Sequence, residues 1–383
     1  MRNHFLRISS LLLMLGSLPA LAQLLSSPST HDNPSTPTWT ELFPGTNPSA
    51  RYSHAMAYDA AAGKVVMFAG LGPNGYLSGT FLWNGHNWTQ EQPKTHPSPR
   101  YWHSMAYDGG AKNVVLFGGF DTKFNHLNDT WVWNGSDWKQ EHPKTVPPAR
   151  LSSAMAYDSS DNKVVMFSGD TQGAELNDTW VWNGSNWTKE HPSQVPVARS
   201  AHAMAYDTAK GNVVLFGGVT DTNLVLGDTW VWNGSNWTKE HPSQAPAARY
   251  AHAMAYDTAK GDVVLFGGVT ESNQVLGDTW VWNGSNWTQK HPAHSPPARS
   301  FHTMAYDSAK GKVVLFGGAD ASGNFLDADT WAWNGSDWTV EPYTDAPAPR
   351  FGQAMTYDSS HGELVMFGGA NSTGYFGDTF VWK

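Results

Sequence analysis

The segment that opens at Arg51 recurs at Arg100, Arg150, Arg199, Arg249, Arg299 and Arg350, with spacings of 49, 50, 49, 50, 50 and 51 residues. A chain written this way folds as copies of one unit. A period near 50 residues is that of a propeller blade, and no segment carries the apolar 3.6-residue period a helical solenoid repeat needs. Each unit instead holds four short strand candidates. In the fifth, Ala253-Met254-Ala255-Tyr256 leads through the polar turn 257–261 to the apolar run 263–268. Residues 278–282 then pass through Asn283-Gly284-Ser285-Asn286 into Trp287-Thr288-Gln289-Lys290, and Asn-Gly between hydrophobic runs is a strong hairpin signal.

The two ends of the chain complete each other. The last unit stops at Trp382-Lys383, after its third strand, whereas Trp39-Thr40-Glu41 precedes the first Arg and matches the fourth-strand pattern of Trp88-Thr89-Gln90. The expected fold is therefore all-β: a seven-bladed propeller of four-stranded blades, with the N-terminal strand at about residues 38–43 completing the last blade. Such closure removes the two edge strands an open ring would expose.

From Trp39 to Lys383 the chain resembles the kelch-repeat family. Apolar runs end in the Gly doublets 118–119, 217–218, 267–268, 317–318 and 368–369, followed by the paired aromatics of strands three and four. Two doublets are altered, to Ala69-Gly70 and Ser168-Gly169; the third-strand aromatic is Trp where the family usually has Tyr; and Trp133 to Trp138 is a shorter separation than usual. The resemblance implies a β-propeller. It extends to the central domain of galactose oxidases, whose copper site uses a Cys–Tyr crosslink, but this chain has no Cys, so it is not a Cys–Tyr copper radical oxidase.

Arg2, His4 and Arg7 precede an apolar stretch at 8–18, and Ala20-Leu21-Ala22 offers a small-x-small cleavage site. Residues 1–22 are read as a signal peptide, 23–37 as a Pro/Ser/Thr-rich linker and 38–383 as one propeller, with the protein secreted to an extracellular or periplasmic space. The apolar stretch is too short for a membrane span, so no membrane insertion is expected. With 24 Lys and Arg and a net charge of −9 there is no basic stripe for phosphates, which argues against nucleic acid as a partner. A monomer is expected.

Comparison among units separates what every blade demands from what single blades add. Nineteen of the 20 Trp occupy repeat slots, and only Trp102 lies outside them. The repeated Tyr58 to Tyr357 read as structural, and the Asp after each, Asp59 to Asp358, as a turn device. The Arg at each unit head is expected to pair with an Asp before strand three: Asp129, Asp178, Asp228, Asp278, Asp329 or Asp378, with Gly79 in that place in the first unit. His54, His103, His202, His252 and His302 follow their Arg by three residues and are assigned to inter-strand hydrogen bonding. Metal ligation is disfavoured because residues spread round a seven-fold axis do not converge on one ion, and no metal or cofactor is expected. The sequons in the repeated Asn-Gly-Ser-Asn-Trp-Thr are assigned to turn geometry.

The connections entering strand one and joining strands two and three emerge on one face and vary between units. Five units place an aromatic just after the Arg, giving the ligand-binding candidates Tyr52, Tyr101, Trp102, Tyr250, Phe301 and Phe351. The second set of loops, including 120–124, 170–172, 221–223, 271–273 and 320–322, adds carboxylates and amides. No catalytic motif is present, and no catalytic residue is assigned. The functional expectation is a recognition or scaffold module binding a glycan or a protein through this loop face; the alternative is a carbohydrate-active enzyme using carboxylates and His at the channel mouth.

Overall fold

The computed structural model describes residues 38–172, 174–326, 329–341 and 346–383; the leader and linker assigned above lie outside them. Seven four-stranded antiparallel sheets follow one another along the chain. Blade 1 comprises Ala55–Asp59, Lys64–Phe68, Thr80–Trp83 and Trp88–Glu91. Blade 7 comprises Ala354–Asp358, Glu363–Phe367 and Thr379–Trp382, and takes Trp39–Leu42 as its fourth strand. The first strands of adjacent blades lie against each other all the way round, that of blade 7 against that of blade 1, so the ring is closed.

The second strands are continuous apolar runs such as Val-Val-Leu-Phe because both of their faces are covered by neighbouring blades, which removes the usual alternation of buried and exposed residues. The core is accordingly seven inter-blade clusters. In one, Val66, Phe68 and Leu82 of blade 1 meet Val114, Leu116, Trp133 and Trp138 of blade 2. The fourth-strand Trp of each blade donates its indole N–H to the Thr opening strand three of the preceding blade: Trp88 to Thr379, Trp138 to Thr80, and so on to Trp338 and Thr279, at 2.7–2.8 Å. Trp39 makes the seventh such bond, to Thr330 of blade 6. The N-terminal strand thus pairs with blade 7 in the register Trp39↔Trp382 to Leu42↔Thr379 and also ties blade 7 to blade 6.

The repeated polar residues serve the ring. Arg100, Arg150, Arg199, Arg249 and Arg350 hold the Asp before their own third strand through two hydrogen bonds each, within 2.5–3.0 Å. In blades 2 to 5 the same carboxylate also accepts the third-strand Trp N–H at 2.7 Å. Asp257 and its counterparts accept backbone N–H groups two and three residues on, as in Ala259 at 3.0 Å and Lys260 at 3.2 Å. Tyr206, Tyr256 and Tyr306 reach back to accept an N–H from the turn of the preceding blade at 3.0 Å. The Asn heading each Asn-Gly turn accepts two turn N–H groups, as Asn233 does from Ser235 and Asn236.

The Gly doublet follows from close approach. A Cβ on Gly217 would lie 2.5 Å from the Arg249 carbonyl oxygen, and one on Gly218 would lie 2.8 Å from that of Ser200; both residues have positive φ. Where Ser168 replaces the first Gly, it keeps φ at 61°, and its hydroxyl donates to the Leu176 and Arg199 carbonyls.

The histidine expectation is corrected in part. In His54, His103, His202, His252 and His302 neither ring nitrogen makes a well-formed hydrogen bond to a protein group, and only His252 and His302 keep a weak polar contact with the backbone of Phe216 and Phe266 in the preceding blade. Each ring instead meets edge-on the Phe ending the second strand of the preceding blade, at centroid distances of 5.6–5.7 Å. Burial, with the nearby Arg as second cause, lowers His103, His202 and His302 to about 3 and puts His54 and His252 well below the ordinary value, so all five are neutral spacers. Gln353, in the same slot, reaches the Phe316 carbonyl at 3.3 Å, which the imidazoles do not match.

Arg51 shows what the missing Asp leaves behind. It is 1% exposed, its guanidinium bonds Ser49 and the Ala69 carbonyl, and it lies 4.9 Å from the Phe81 ring centroid, with no carboxylate partner. Burial lowers it to about 10. The Gly79→Asp/Phe81→Trp pair, which recreates the arrangement of blade 2, is expected to raise stability by about 1–3 kcal/mol in urea unfolding. Gly79→Asp alone is expected to lower it, because a Cβ there comes within 2.7 Å of the Phe81 ring.

Candidate functional site: the loop rim

On the loop face each blade builds a small irregular sheet from two connections. The residue after the head Arg pairs with the residue after the Gly pair: Tyr52 with Leu71, Tyr101 with Phe120, Leu151 with Asp170, Ser200 with Val219, Tyr250 with Val269, Ser300 with Ala319 and Phe351 with Ala370. A third member joins from the returning loop, as Tyr76 does with Leu71, His126 with Phe120, Phe325 with Ala319 and Tyr375 with Ala370. The backbone places are common to all blades, and the side chains standing on them are not.

From blade 6 through 7 and 1 to blade 2 these places are aromatic. Phe325 stacks on Phe351 at 5.4 Å and 10°, Phe351 meets Tyr52 at 5.8 Å, and Tyr52 meets Tyr375 at 5.5 Å. In a second group, linked to the first through Leu71, which pairs with both Tyr52 and Tyr76, Tyr76 meets Tyr101 at 5.1 Å, and Tyr101 packs on Trp102 at 4.4 Å and on Phe120 at 5.9 Å. Phe120 extends the arc to Phe124 at 6.0 Å. Blades 4 and 5 carry aliphatic residues instead, Val219, Val225, Val269 and Val275. Blade 3 is acidic, with Asp170 at 3.2 Å and the Gln172 N–H at 3.3 Å from His126 Nε2, which donates to the first or accepts from the second according to its tautomer.

Of the six candidates read from sequence, Tyr52, Tyr101, Trp102 and Phe351 lie in this arc. Tyr101 is only 7% exposed and acts as its buried floor. Burial, then Tyr375 and Tyr76, push the Tyr52 phenol up to about 12, and burial likewise raises Tyr101, so both are uncharged hydrogen-bonding surfaces at neutral pH. Tyr250 stands in blade 5 beside Val269, away from the arc, and no ring contact among the described residues joins Phe301 to it. Sequence comparison missed Tyr76, Phe325 and Tyr375, and read Phe120 and Phe124 only as part of a polar loop. The available signal was a Phe or Tyr five or six residues after the loop begins, in three of the seven units.

The position two after each Arg is left-handed in all seven blades: Ser53, Trp102, Ser152, Ala201, Ala251, Phe301 and Gly352 have φ of 51–66°. Their N–H groups donate to the corresponding carbonyl of the preceding blade, Ser53 to Gly352, Trp102 to Ser53, Ser152 to Trp102, Ala251 to Ala201 and Phe301 to Ala251, at 2.9–3.2 Å. These residues therefore frame the mouth. Only Gly escapes the Cβ penalty of a left-handed backbone, and the strain is most pronounced for bulky residues such as Trp and Phe. Trp102 and Phe301 are kept there against backbone preference, and such strain is characteristic of residues retained for what their side chains contact.

Among the described residues, no group of three or more His or carboxylate side chains converges to hold a metal. The ring nitrogens of the five repeated His are buried, so the rim chemistry is aromatic stacking with hydrogen bonding from phenols, carboxylates and loop backbone.

A closed ring of blades carrying a variable aromatic rim defines the class: a β-propeller. The chain belongs to the kelch-repeat family. The family model described as the KLHDC2/KLHL20/DRC7 Kelch-repeats domain matches residues 29–182 and 235–383. The unmatched stretch still folds as the outer strand of blade 3 and the first three strands of blade 4. No curated protein gave a significant match to the chain.

Proposed function

We propose that this protein is an exported recognition scaffold that binds a protein ligand on its loop face through the aromatic arc centred on Trp102, Tyr52 and Phe351. Kelch propellers bind protein partners, which favours a protein over a glycan. The observation carrying the site is Trp102 itself: an aromatic held at φ 55°, packed on Tyr101 and half exposed, at a position where the fold needs no side chain. Trp and Tyr are the residues that anchor interfaces, and beside the partly buried Trp102 and Tyr52 the arc exposes Phe124 and Tyr375. Export rests on the apolar stretch at 8–18 and the Ala20-Leu21-Ala22 site behind it.

The test compares wild type with Trp102→Ala and Trp102→Gly in panning of a displayed random dodecapeptide library and in a glycan array. Trp102→Gly is expected to leave stability unchanged or raise it by up to about 1 kcal/mol, since it relieves a left-handed residue. Binding of selected peptides is expected to fall by about tenfold or more in both variants, as for a central aromatic anchor. Peptide binding insensitive to both changes sinks the site. Glycan binding that is lost with Trp102 while no peptide is selected replaces the protein ligand with a carbohydrate.

A further inference from the structure

The rim aromatics and the rim charges have a relation that the repeats do not require. Apart from the Asp that pairs with each head Arg, the described connections between strands two and three carry Asp121, Asp170, Glu175, Asp221, Glu271 and Asp320 against one cation, Lys123. The head Arg residues offer no positive surface, being at most 1% exposed. Asp320 and Asp121 stand in the same loops as Phe325 and Phe124, the two ends of the aromatic arc. In each, one carboxylate oxygen accepts loop N–H groups, from Ser322 and Asn324 or from Lys123 and Asn125, and the other accepts the side-chain amide of Asn324 or Asn125 at 3.1–3.2 Å, which fixes the carboxylate's direction. Asp221 and Glu271 are exposed across the mouth and form no ion pair among the described residues.

Several rings of the arc keep exposed surface. The cations that lie over rings in the described residues do so elsewhere: Arg51 on Phe81, Arg350 on Phe376 and Phe380 beneath the rim, and Lys239 on Trp230 of the outer strands. Phe124 is 73% exposed and Tyr375 39%. An aromatic surface bracketed by carboxylates attracts a cation twice, through the ring quadrupole and through charge, and the two attractions reinforce where water is partly excluded.

We propose that the loop face is built for a cationic polypeptide segment, in which Lys or Arg side chains lie over the aromatic arc and meet the carboxylates at its two ends and across the mouth. This rests on the protein-binding reading above and specifies its partner by charge. Glycans, acidic peptides and uncharged peptides are the competing occupants. Complementary charge acts mainly on selectivity and on the rate of encounter, with the aromatic contacts supplying most of the affinity.

The experiment is the dodecapeptide panning with the full chain, read for charge. Lys and Arg are expected to be enriched severalfold over Asp and Glu relative to the unpanned library. The commonest peptide, synthesised with a fluorophore, is expected to bind about tenfold more weakly at 500 mM than at 50 mM NaCl. Asp221→Asn and Glu271→Gln, both exposed and remote from the fold's ion pairs, are each expected to weaken it about twofold to threefold. Enrichment of neutral or acidic peptides whose binding still requires Trp102, or binding indifferent to salt and to both charge variants, overturns the cationic assignment and leaves the protein-binding reading standing. Failure to select any peptide that depends on Trp102 overturns both.

Discussion

Trp39→Ala is expected to destabilise the protein by about 5 kcal/mol, more than the same change at Trp88, although the two residues occupy equivalent places. The indole is 1% exposed and packs against Phe316 of blade 6 and Phe380 and Trp382 of blade 7, at 5.6–6.3 Å. Truncating a buried Trp costs about 3–5 kcal/mol, and leaving the buried Thr330 hydroxyl without its donor adds about 1 kcal/mol or more. Those contributions are shared by every blade. The difference at Trp39 lies in connectivity: the other fourth strands are held by covalent links on both sides, whereas Trp39–Leu42 joins blade 7 only through its hydrogen bonds and side chains. Weakening it opens the ring, exposes a strand edge on blade 7 and loses the tie to blade 6. Urea unfolding is the measurement, with Phe43→Ser, at an 85% exposed position just beyond the strand, expected to be neutral. Equal losses at Trp39 and Trp88 would show that closure contributes nothing beyond local packing.

Acid is expected to unfold the protein cooperatively as pH falls from about 6 to about 4, with the buried His ring as the main cause. His54, His103, His202, His252 and His302 are lowered in the folded state by burial first and by the adjacent Arg second. A group whose folded value is lowered from 6.5 contributes its full stability above that value. It loses it as pH falls towards the folded value, here about 3 where a number is assigned. Each such ring costs about 1.4 kcal/mol per pH unit below 6.5, so five together remove a domain's typical stability of about 5–15 kcal/mol within two units.

The carboxylates act lower and in both directions. Asp178, Asp228 and Asp278 are buried, which acts to raise them, but Arg and Trp hydrogen bonds outweigh this and leave them lowered. Their contribution is lost only as pH falls through and below 3.8. Asp59, Asp108, Asp257 and Asp307 are raised by burial, so they favour the fold as they protonate, partly offsetting the loss. Substituting the His by Gln, the residue that blade 7 already has at 353, is expected to move the acid midpoint down by roughly half a unit or more once several are replaced. Circular dichroism against pH measures it, and an unmoved midpoint in the multiple variant would remove the His ring as the cause.

Much of the ring was legible because a 50-residue period repeats every structural demand seven times. Strand order, the N-terminal strand in blade 7, the Arg–Asp pairs, the Asp turns and the structural role of the 19 repeated Trp could all be read by asking what each unit shares. The His residues were read correctly as belonging to the ring, but their main contact is an aromatic edge rather than the hydrogen bond expected, because sequence recurrence shows that a slot is filled and not what faces it. The rim was half legible. Aromatics adjacent to the head Arg stood out by contrast between units, but Tyr76, Phe325 and Tyr375 come from loops of unequal length, where no common numbering links them to the blade next door.

What the sequence by itself determined is therefore the closed seven-bladed ring, since local turn signals, apolar strand runs and complementary chain ends all agree and act over short separations. Only the tertiary structure decided which side chains share a surface. Closing the ring brings blade 7 against blade 1, some 300 residues apart in the chain, and joins Phe351 and Tyr375 to Tyr52 in one aromatic arc. It also sets φ at Trp102, because the inter-blade hydrogen bonds at the mouth force a left-handed backbone there that its own neighbours in sequence do not.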